Sequence, residues 1–209
     1  MLRKYTALLT ALALLAAATL LPASAEVALP DVSTLYKNKD VTETWDEAEA
    51  VVIRCDGATA IASAPEGVSV ADGLISITAK GTYVLRGDFA GRVEVAVSME
   101  EDVRLVLDGL SVASPEGPAL LIRSADKVVL TLADGSVNAL AASIALTEGE
   151  ETYSAALLSR DDLSLNGGGA LTIQSGAGRG IDCRNDLILA NGTTPPRWPA
   201  RTRALTWPC

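Results

Sequence analysis

The sequence predicts an all-β protein built as a parallel β-helix, a solenoid in which each coil of short strands pairs with the next. Two observations lead to this prediction. Apolar and polar residues alternate in short bursts that close on a glycine turn, and the bursts return at a nearly constant step. Alternation of period two indicates strands with one buried face, and Asp-Gly or Asn-Gly suits tight turns. The bursts cover residues 75–81, 105–109, 130–135, 163–167 and 187–192.

The step between bursts sets the size of one coil. The leading leucines of the last four bursts are Leu105, Leu130, Leu163 and Leu187, so the steps are 25, 33 and 24 residues. Such a step holds two or three short strands with their turns, which suits a solenoid. The longer step indicates an insertion at residues 139–153 that projects as a solvated loop. An antiparallel sandwich also alternates strands with turns and stays as the alternative.

Polar turns before three of the strands support the register. They cover residues 124–128, 159–163 and 183–187. Asp162 and Asp186 are 24 residues apart, which is one coil, so we expect them to stack on the same corner of the solenoid.

The beginning of the chain predicts export. Residues 1–25 join Arg3 and Lys4 to an apolar run and a small-residue triplet, a pattern typical of a secretory signal peptide cleaved before Glu26. The apolar run is shorter than a membrane span, so we expect a secreted or cell-surface protein with no membrane span after cleavage. Residues 26–39 are predicted to be a linker.

Residues 40–192 form the predicted β-helix domain, with Trp45 covering the apolar end of its first coil. Residues 193–209 contain four of the nine prolines and no acidic residue. Proline removes a donor from a strand ladder, so this tail cannot continue the repeat. We therefore expect a solenoid that is truncated at its C-terminal end, and we hypothesise that the tail comes from a shifted reading frame.

Composition excludes several kinds of chemistry. The chain has no histidine, which excludes histidine-based catalysis and histidine-ligated metals. Of its 17 basic residues, 15 remain after the signal peptide is removed, against 26 acidic residues, which gives a net charge of −11. Nucleic acid is not an expected partner of so acidic a protein. Acidic exported proteins can instead bind divalent cations through carboxylate oxygens.

Six segments of the chain together carry a family resemblance. They are residues 41–47, 81–87, 103–109, 124–128, 159–167 and 180–182. In these segments the chain resembles a family of secreted bacterial carbohydrate-binding domains typified by a clostridial pectin-binding β-helix protein. The resemblance covers about residues 40–192 and implies a right-handed parallel β-helix like that of pectate lyases. It also implies binding of acidic plant polysaccharide, bound calcium and no known catalysis.

Five oxygen-bearing residues form the predicted calcium site. They stand on two successive coils, and stacking of the turns would bring their oxygens together. Calcium takes six to eight oxygen ligands, so two turns with water offer a plausible shell. The alternative is that Asp162 and Asp186 only accept hydrogen bonds from backbone amides at turns. The five residues are Asp161, Asp162, Asp182, Asn185 and Asp186.

Three arginines are the predicted carbohydrate ligands. Arg160, Arg179 and Arg184 can donate paired hydrogen bonds to uronate carboxylates, or alternatively serve as surface charge partners. The expected function is non-catalytic extracellular binding of acidic polysaccharide such as polygalacturonate or pectin, assisted by calcium. One alternative is a structural or adhesion solenoid. Another is a pectate-lyase-like enzyme with Arg179 as base, although arginine normally stays protonated.

Overall fold

The computed structural model describes residues 36–190, and it confirms that this protein is all-β. One short helix, α1 (Asn38–Val41), precedes the strands. No helix within the described range is long and apolar enough to cross a membrane. The strands in chain order are β1 (Val51–Gly57), β2 (Thr59–Ala62), β3 (Val68–Ala71), β4 (Leu74–Ile77), β5 (Gly81–Phe89), β6 (Arg92–Ala96), β7 (Asp102–Glu116), β8 (Leu120–Ser124), β9 (Lys127–Leu132), β10 (Val137–Ile144), β11 (Leu146–Glu148), β12 (Glu151–Tyr153), β13 (Ala155–Ser159), β14 (Asp162–Gly167), β15 (Ala170–Ser175), β16 (Arg179–Cys183) and β17 (Leu187–Leu189).

Two large sheets hold most of these strands. The first sheet has the order β17-β14-β9-β7-β5-β1-β2, with β10 and β15 joined to it as a branch on β7. The second sheet has the order β16-β13-β8-β6-β4-β3. Both sheets are mixed, because β1 with β2 and β3 with β4 are antiparallel pairs, while the other pairs are parallel. Two strands that pair in parallel are never consecutive in the chain. After such a strand the chain therefore leaves the sheet, and it returns later to form the strand beside it.

The pairing confirms two of the three predicted leucine steps. Leu105 lies opposite Leu130, and Leu163 lies opposite Leu187. The middle step is wrong by two residues, because Leu163 lies opposite Val128. A shift of two keeps the same side chains facing inward, so alternation cannot distinguish the two registers. The burst at residues 75–77 belongs to β4 of the second sheet, not to the strands that carry the leucines.

The predicted insertion is only partly a projecting segment. Residues 137–144 form β10, which pairs with β7 and β15 as a regular member of the first sheet. Residues 146–153, called the acidic hairpin below, form the antiparallel pair β11 and β12 with Gly149 at the turn. Leu146 and Tyr153 pack against Leu121 and Leu158, so apolar burial holds the hairpin against the second sheet.

The core lies between the two sheets and is formed by every second side chain of their strands. Ile53, Leu85 and Leu105 of the first sheet share one buried cluster with Ile75 and Ile122 of the second. Fully burying each such side chain contributes about 1.5–3 kcal/mol. The alternation that predicted strands is therefore the alternation between this core and the outer faces.

One buried asparagine forms hydrogen bonds with backbone groups at neighbouring turns of the first sheet. Asn138 is buried, and its Oδ1 accepts hydrogen bonds from the backbone nitrogens of Gly109 and Leu110 at 3.0 and 2.9 Å. Its Nδ2 donates to Ser136 Oγ at 2.8 Å and to the Ala170 carbonyl at 3.1 Å. All its hydrogen-bonding capacity is used, so the polar group is buried without an unpaired atom and fixes turns of three neighbouring strands.

An N-terminal strap, residues 37–50, crosses the outer face of the first sheet. Asp40 is fully buried there and accepts hydrogen bonds from Lys127 Nζ at 2.8 Å and from Ser164 Oγ. Further along, the Thr42 carbonyl accepts a hydrogen bond from Arg104 Nη1 at 2.7 Å. Polar side chains that alternate with core residues in β7, β9 and β14 thus donate hydrogen bonds to atoms of the strap.

The middle of the strap corrects the expectation for Trp45. Its side chain packs against an apolar cluster that includes Val84 and Val106, which lie side by side on neighbouring strands. Beyond it, both carboxylate oxygens of Glu47 accept hydrogen bonds from Arg86, at 2.9 and 3.0 Å. Trp45 therefore covers a column of valines along the sheet rather than the apolar end of the first coil, because the strap runs across the strands.

The contacts of the strap begin before residue 40. Lys39, in the predicted linker, donates hydrogen bonds to Asp102 at 2.9 Å and to Asp126 at 3.3 Å. Outside the described residues lie the predicted signal peptide, residues 1–25, most of the predicted linker, residues 26–35, and the predicted tail, residues 193–209.

Candidate functional site

Three arginines occupy the same position on three neighbouring strands of the second sheet. Ser159 lies opposite both Ile122 and Cys183 in the parallel pairing, and an arginine follows each of these residues. These arginines are Arg123, Arg160 and Arg184, which are called the arginine column below. Neighbouring strands are about 4.8 Å apart, so the backbone positions of the three arginines follow one another at about this spacing across the ends of β8, β13 and β16.

Arg123 is held firmly by two glutamates. Its Nε lies 2.7 Å from Glu94, and its two terminal nitrogens donate to the two oxygens of Glu148 at 2.8 and 2.9 Å. The hydrogen bonds that Arg123 donates to Glu148 and Glu94 raise the pKa of Arg123, and the same pairing with Arg123 lowers the pKa of Glu148. Arg123 is therefore fully engaged within the protein.

Arg160 and Arg184 share a single glutamate of the acidic hairpin. Glu151 lies 3.4 Å from Arg160 Nη2 and 3.8 Å from Arg184 Nη1. The Tyr153 hydroxyl donates to Glu151 at 2.7 Å, and this hydrogen bond is the main cause of the lowered pKa of Glu151. The guanidinium carbons of Arg123 and Arg184 also lie 5.4 and 5.8 Å from the centre of the Tyr153 ring, within cation–π range.

Tyr153 is a support for the arginines and not a sugar platform. Only 2% of its surface is exposed, so its ring faces are covered by the protein. Its hydrogen bond to Glu151 raises the pKa of the hydroxyl. Tyr36 and Trp45 are half-buried and Tyr83 and Phe89 are buried, so none of the described aromatic side chains is exposed for stacking on a sugar.

Arg179 stands apart from the other two predicted arginines. It lies at the beginning of β16, opposite Ala155, whereas Arg184 follows the end of that strand. Its side chain is 65% exposed and pairs with Asp182 at 3.1 Å. The structure therefore brings Arg160 and Arg184 together and leaves Arg179 at the other end of the strand.

The predicted calcium ligands lie mainly on the corner that follows the arginine column. Asp162 and Asp186 share this corner, as predicted, and the backbone nitrogen of Asp186 donates to Asp162 Oδ1 at 3.3 Å. Asp161 Oδ2 accepts from the backbone nitrogen of Ala125 at 3.2 Å. Asn185 directly precedes Asp186 in the chain. One oxygen of Asp162 thus bonds a turn amide, as the alternative explanation expected, and one oxygen of Asp161 does the same.

Asp182 pairs with Arg179 at 3.1 Å. Within residues 36–190, no three acidic or cysteine side chains form a group that could hold a metal ion.

Sequence reasoning missed Arg123 and the glutamates of the acidic hairpin. The turn between Arg123 and β9 is two residues longer than the turn between Arg160 and β14. The polar turns after these two arginines therefore do not align in the sequence. A usable signal was present, because an arginine stands at the end of each of the strands β8, β13 and β16. The hairpin was recognised as an insertion, but its contacts depend on the tertiary structure.

An open cavity within the described residues lies elsewhere. It has a volume of about 580 Å³ and lies beside the beginnings of β5 and β7, with none of the predicted site residues in its wall. Positive and negative side chains balance there, so it offers no clear preference for an anion. Its charged lining residues are Lys39, Lys80, Arg104, Glu100, Glu101 and Asp102.

The fold and the arginine column define a class: an all-β protein that presents charged side chains in columns along stacked strands. The sequence model of the family described as carbohydrate-binding domain-containing protein matches residues 71–195. The chain belongs to this family.

Two relatives extend the comparison. A carbohydrate-binding domain-containing protein of Acetivibrio thermocellus is 33% identical over 132 residues, which are 61% of this chain and 46% of the relative. A solved structure of the polysaccharide lyase-like protein from C. thermocellum, a gadolinium derivative, has a TM-score of 0.64 and 30% identity. That match covers 68% of this chain and 59% of the other. This chain thus spans about half the length of the relatives that it resembles.

Proposed function

We propose that this protein binds acidic polysaccharide outside the cell and does not cleave it. Polygalacturonate and pectin-like chains are the proposed ligands, and secretion through the signal peptide of residues 1–25 is part of the proposal. Membership of the carbohydrate-binding family supports the ligand class. The single observation that carries the preference for an acidic chain is the arginine column.

The geometry of the column fits a polymer with repeated carboxylates. Arg160 and Arg184 follow residues that pair across neighbouring strands, about 4.8 Å apart, and both side chains are more than a third exposed. Guanidinium groups bind carboxylates through paired hydrogen bonds. With a net charge of −11 after removal of residues 1–25, the protein repels polyanions at long range, so a local row of arginines is where such a ligand gains attraction.

The same proposal includes the winding of the chain as a right-handed parallel β-helix. Parallel pairing between strands one coil apart supports it, as do the two leucine steps of 25 and 24 residues. Stacked coils would extend the arginine column along the axis of the solenoid, parallel to a bound polymer.

Calcium is proposed as a bridge between the protein and the polymer. Asp161 and Asp162 each engage one carboxylate oxygen with a turn amide and keep the other available, and Asp186 and Asn185 stand beside them. These residues fit an incomplete shell, since calcium requires six to eight oxygens. Uronate carboxylates and water would complete it.

Removing either exposed arginine tests the ligand class. We expect Arg160→Gln and Arg184→Gln each to weaken binding of polygalacturonate by about tenfold, because each loses a charge-assisted contact. Arg54→Gln is the matched control, because Arg54 is an exposed arginine on β1 of the first sheet. Calorimetry on the full chain measures the three affinities. An equal loss in all three variants would mean that only net charge matters, and no binding by the unaltered protein would exclude the proposed function.

If calcium bridges the protein and the polymer, each of these two ligands should raise the affinity of the protein for the other. We expect calcium alone to bind weakly, and its affinity to rise at least about tenfold when polygalacturonate is present, since binding free energies of two linked ligands are reciprocal. Titration of calcium with and without the polymer measures this. Asp162→Asn is expected to reduce the gain, whereas Asp134→Asn, in an exposed turn after β9, is the control. Equal calcium affinity in both titrations would contradict the bridge.

The same titrations separate the alternatives. A rise in ultraviolet absorbance from unsaturated product would indicate a lyase, which the name of the solved relative suggests as the second candidate. Absence of binding to any polysaccharide tested would favour a structural or adhesion solenoid.

A further inference from the structure

The acidic hairpin places a carboxylate where a ligand carboxylate would bind. Glu151 lies between Arg160 and Arg184, the two exposed members of the arginine column. Its side chain carries the same functional group as a uronate. It also comes from a segment that packs on the second sheet through Leu146 and Tyr153 and makes no strand pair with that sheet.

The contacts of the two hairpin glutamates differ in strength. Glu148 forms a bidentate pair with Arg123 at 2.8 and 2.9 Å. Glu151 approaches Arg160 and Arg184 only at 3.4 and 3.8 Å. Exposed pairs at such distances contribute little, so Glu151 is the weakly held partner and Glu148 the firmly held one.

The glutamates are also unevenly distributed among the three arginines of the column. Glu94 and Glu148 both pair with Arg123, which leaves Glu151 as the glutamate that two further arginines share within the described chain. One carboxylate cannot make paired hydrogen bonds with two guanidinium groups at these distances. The position between Arg160 and Arg184 therefore has unused donors.

We infer that Glu151 occupies a carboxylate subsite between Arg160 and Arg184 and acts as an internal competitor that an acidic polysaccharide displaces. This inference rests on the proposed function. The side chain of Glu151 moves aside in the exchange, while Tyr153, Leu146 and the Glu148–Arg123 pair keep the hairpin in place. The protein thereby selects ligands whose carboxylates bind to the two arginines better than Glu151 does. Neutral polysaccharides do not displace Glu151 from the subsite.

A pair of glutamine variants tests the inference in the full chain. Glu151→Gln removes the competing charge but keeps an oxygen that accepts the Tyr153 hydrogen bond. Glu150→Gln removes the same charge one residue away, at the exposed tip of the hairpin, and is the matched control. At physiological ionic strength we expect Glu151→Gln to bind polygalacturonate about two- to fivefold more tightly and Glu150→Gln to bind as the unaltered protein does.

A methyl-esterified polygalacturonate extends the test, because it lacks the charge that competes with Glu151. Its binding is expected to be the same in both variants. Equal affinities of the two variants for polygalacturonate would overturn the inference, and so would a gain with the esterified polymer. If the unaltered protein binds polygalacturonate and loses affinity on Arg184→Gln, the proposed function stands even when the inference fails. If no variant binds, both fail.

The ionisation of Tyr153 supplies a readout that does not depend on a ligand. Glu151 raises the pKa of the Tyr153 hydroxyl by accepting its hydrogen bond and by its negative charge, so Glu151→Ala, which removes both, should lower that pKa while Glu150→Ala leaves it unchanged. Ultraviolet difference absorbance during an alkaline titration measures the pKa. An unchanged pKa in Glu151→Ala would mean that Glu151 does not stand beside Tyr153 and the arginines, and would overturn the inference.

Discussion

Replacing Asp40 with alanine is expected to lower the free energy of unfolding by about 3–5 kcal/mol, because it leaves the buried ammonium group of Lys127 without its counter-charge. Lys127 is 3% exposed and Asp40 is fully buried, so water cannot take the place of the missing carboxylate. The hydroxyl of Ser164 loses its acceptor as well. Urea unfolding followed by far-ultraviolet circular dichroism measures the change.

Two further variants decide whether the buried charge is the cause. The double variant Asp40→Ala with Lys127→Met removes both charges and is expected to recover at least half of the loss, since a buried pair can be replaced by apolar groups at little cost. Asp102→Asn weakens the exposed pair with Lys39 on the same strap and should cost less than about 1 kcal/mol. If the double variant is as unstable as the single one, lost packing of the strap explains the effect.

The same pair predicts how stability depends on pH. Burial raises the pKa of Asp40, but hydrogen bonds from Lys127 and Ser164 outweigh it and bring the pKa below its ordinary value. A carboxyl group with a lowered pKa in the folded state stabilises the protein above its unfolded pKa of about 3.9, and this stability is lost as the pH falls through the folded pKa. Unfolding measured from pH 6 down to about pH 2 should therefore lose part of its acid sensitivity in Asp40→Ala.

Gly167→Ala is the second variant with a large expected effect, about 3–4 kcal/mol of unfolding free energy. Gly167 has φ of 97°, where L-residues are strained, and a Cβ there would overlap the carbonyl oxygen of Leu132 on the neighbouring strand. Both atoms belong to paired strands, so neither can move without breaking the pairing of β14 with β9. Thermal or urea unfolding measures the loss.

Gly135→Ala separates the overlap from the backbone strain. Gly135 has φ of 71°, but no atom lies within 4 Å of a Cβ built there. Only the left-handed backbone is then unfavourable, at about 1–2 kcal/mol. Equal losses in the two variants would show that Gly167 does not lie against Leu132, and the pairing of β14 with β9 would be contradicted.

The candidate site was only partly predictable from the sequence. Arg160 and Arg184 were expected to act together, and their strands bring them to one glutamate. Arg179 was grouped with them on residue type, yet it stands at the opposite end of β16. Arg123 was not predicted, because the turn between it and the next strand is two residues longer than the turn that follows Arg160. Alternation of apolar and polar residues aligns strands with one another, but it does not reveal a turn of different length.

By itself the sequence determined the local structure of this protein. Alternating side chains specify which face of each strand is buried, and the glycines predicted at turns, such as Gly109, Gly135 and Gly167, do adopt positive φ. These features depend on neighbours in the chain, so a single sequence contains them. The leucine steps added the parallel pairing of strands that stand 24 or 25 residues apart, correct in two of three cases.

Only the tertiary structure decided what covers the outer faces. Asp40 meets Ser164 across 124 residues, and Arg123 meets Glu148 across 25. Nothing local ties these partners, because an ion pair depends on distance in space and many acids and bases of the chain could pair equally well. The strap that covers the first sheet and the hairpin that faces the arginine column therefore follow from packing, while the strands beneath them follow from the sequence pattern.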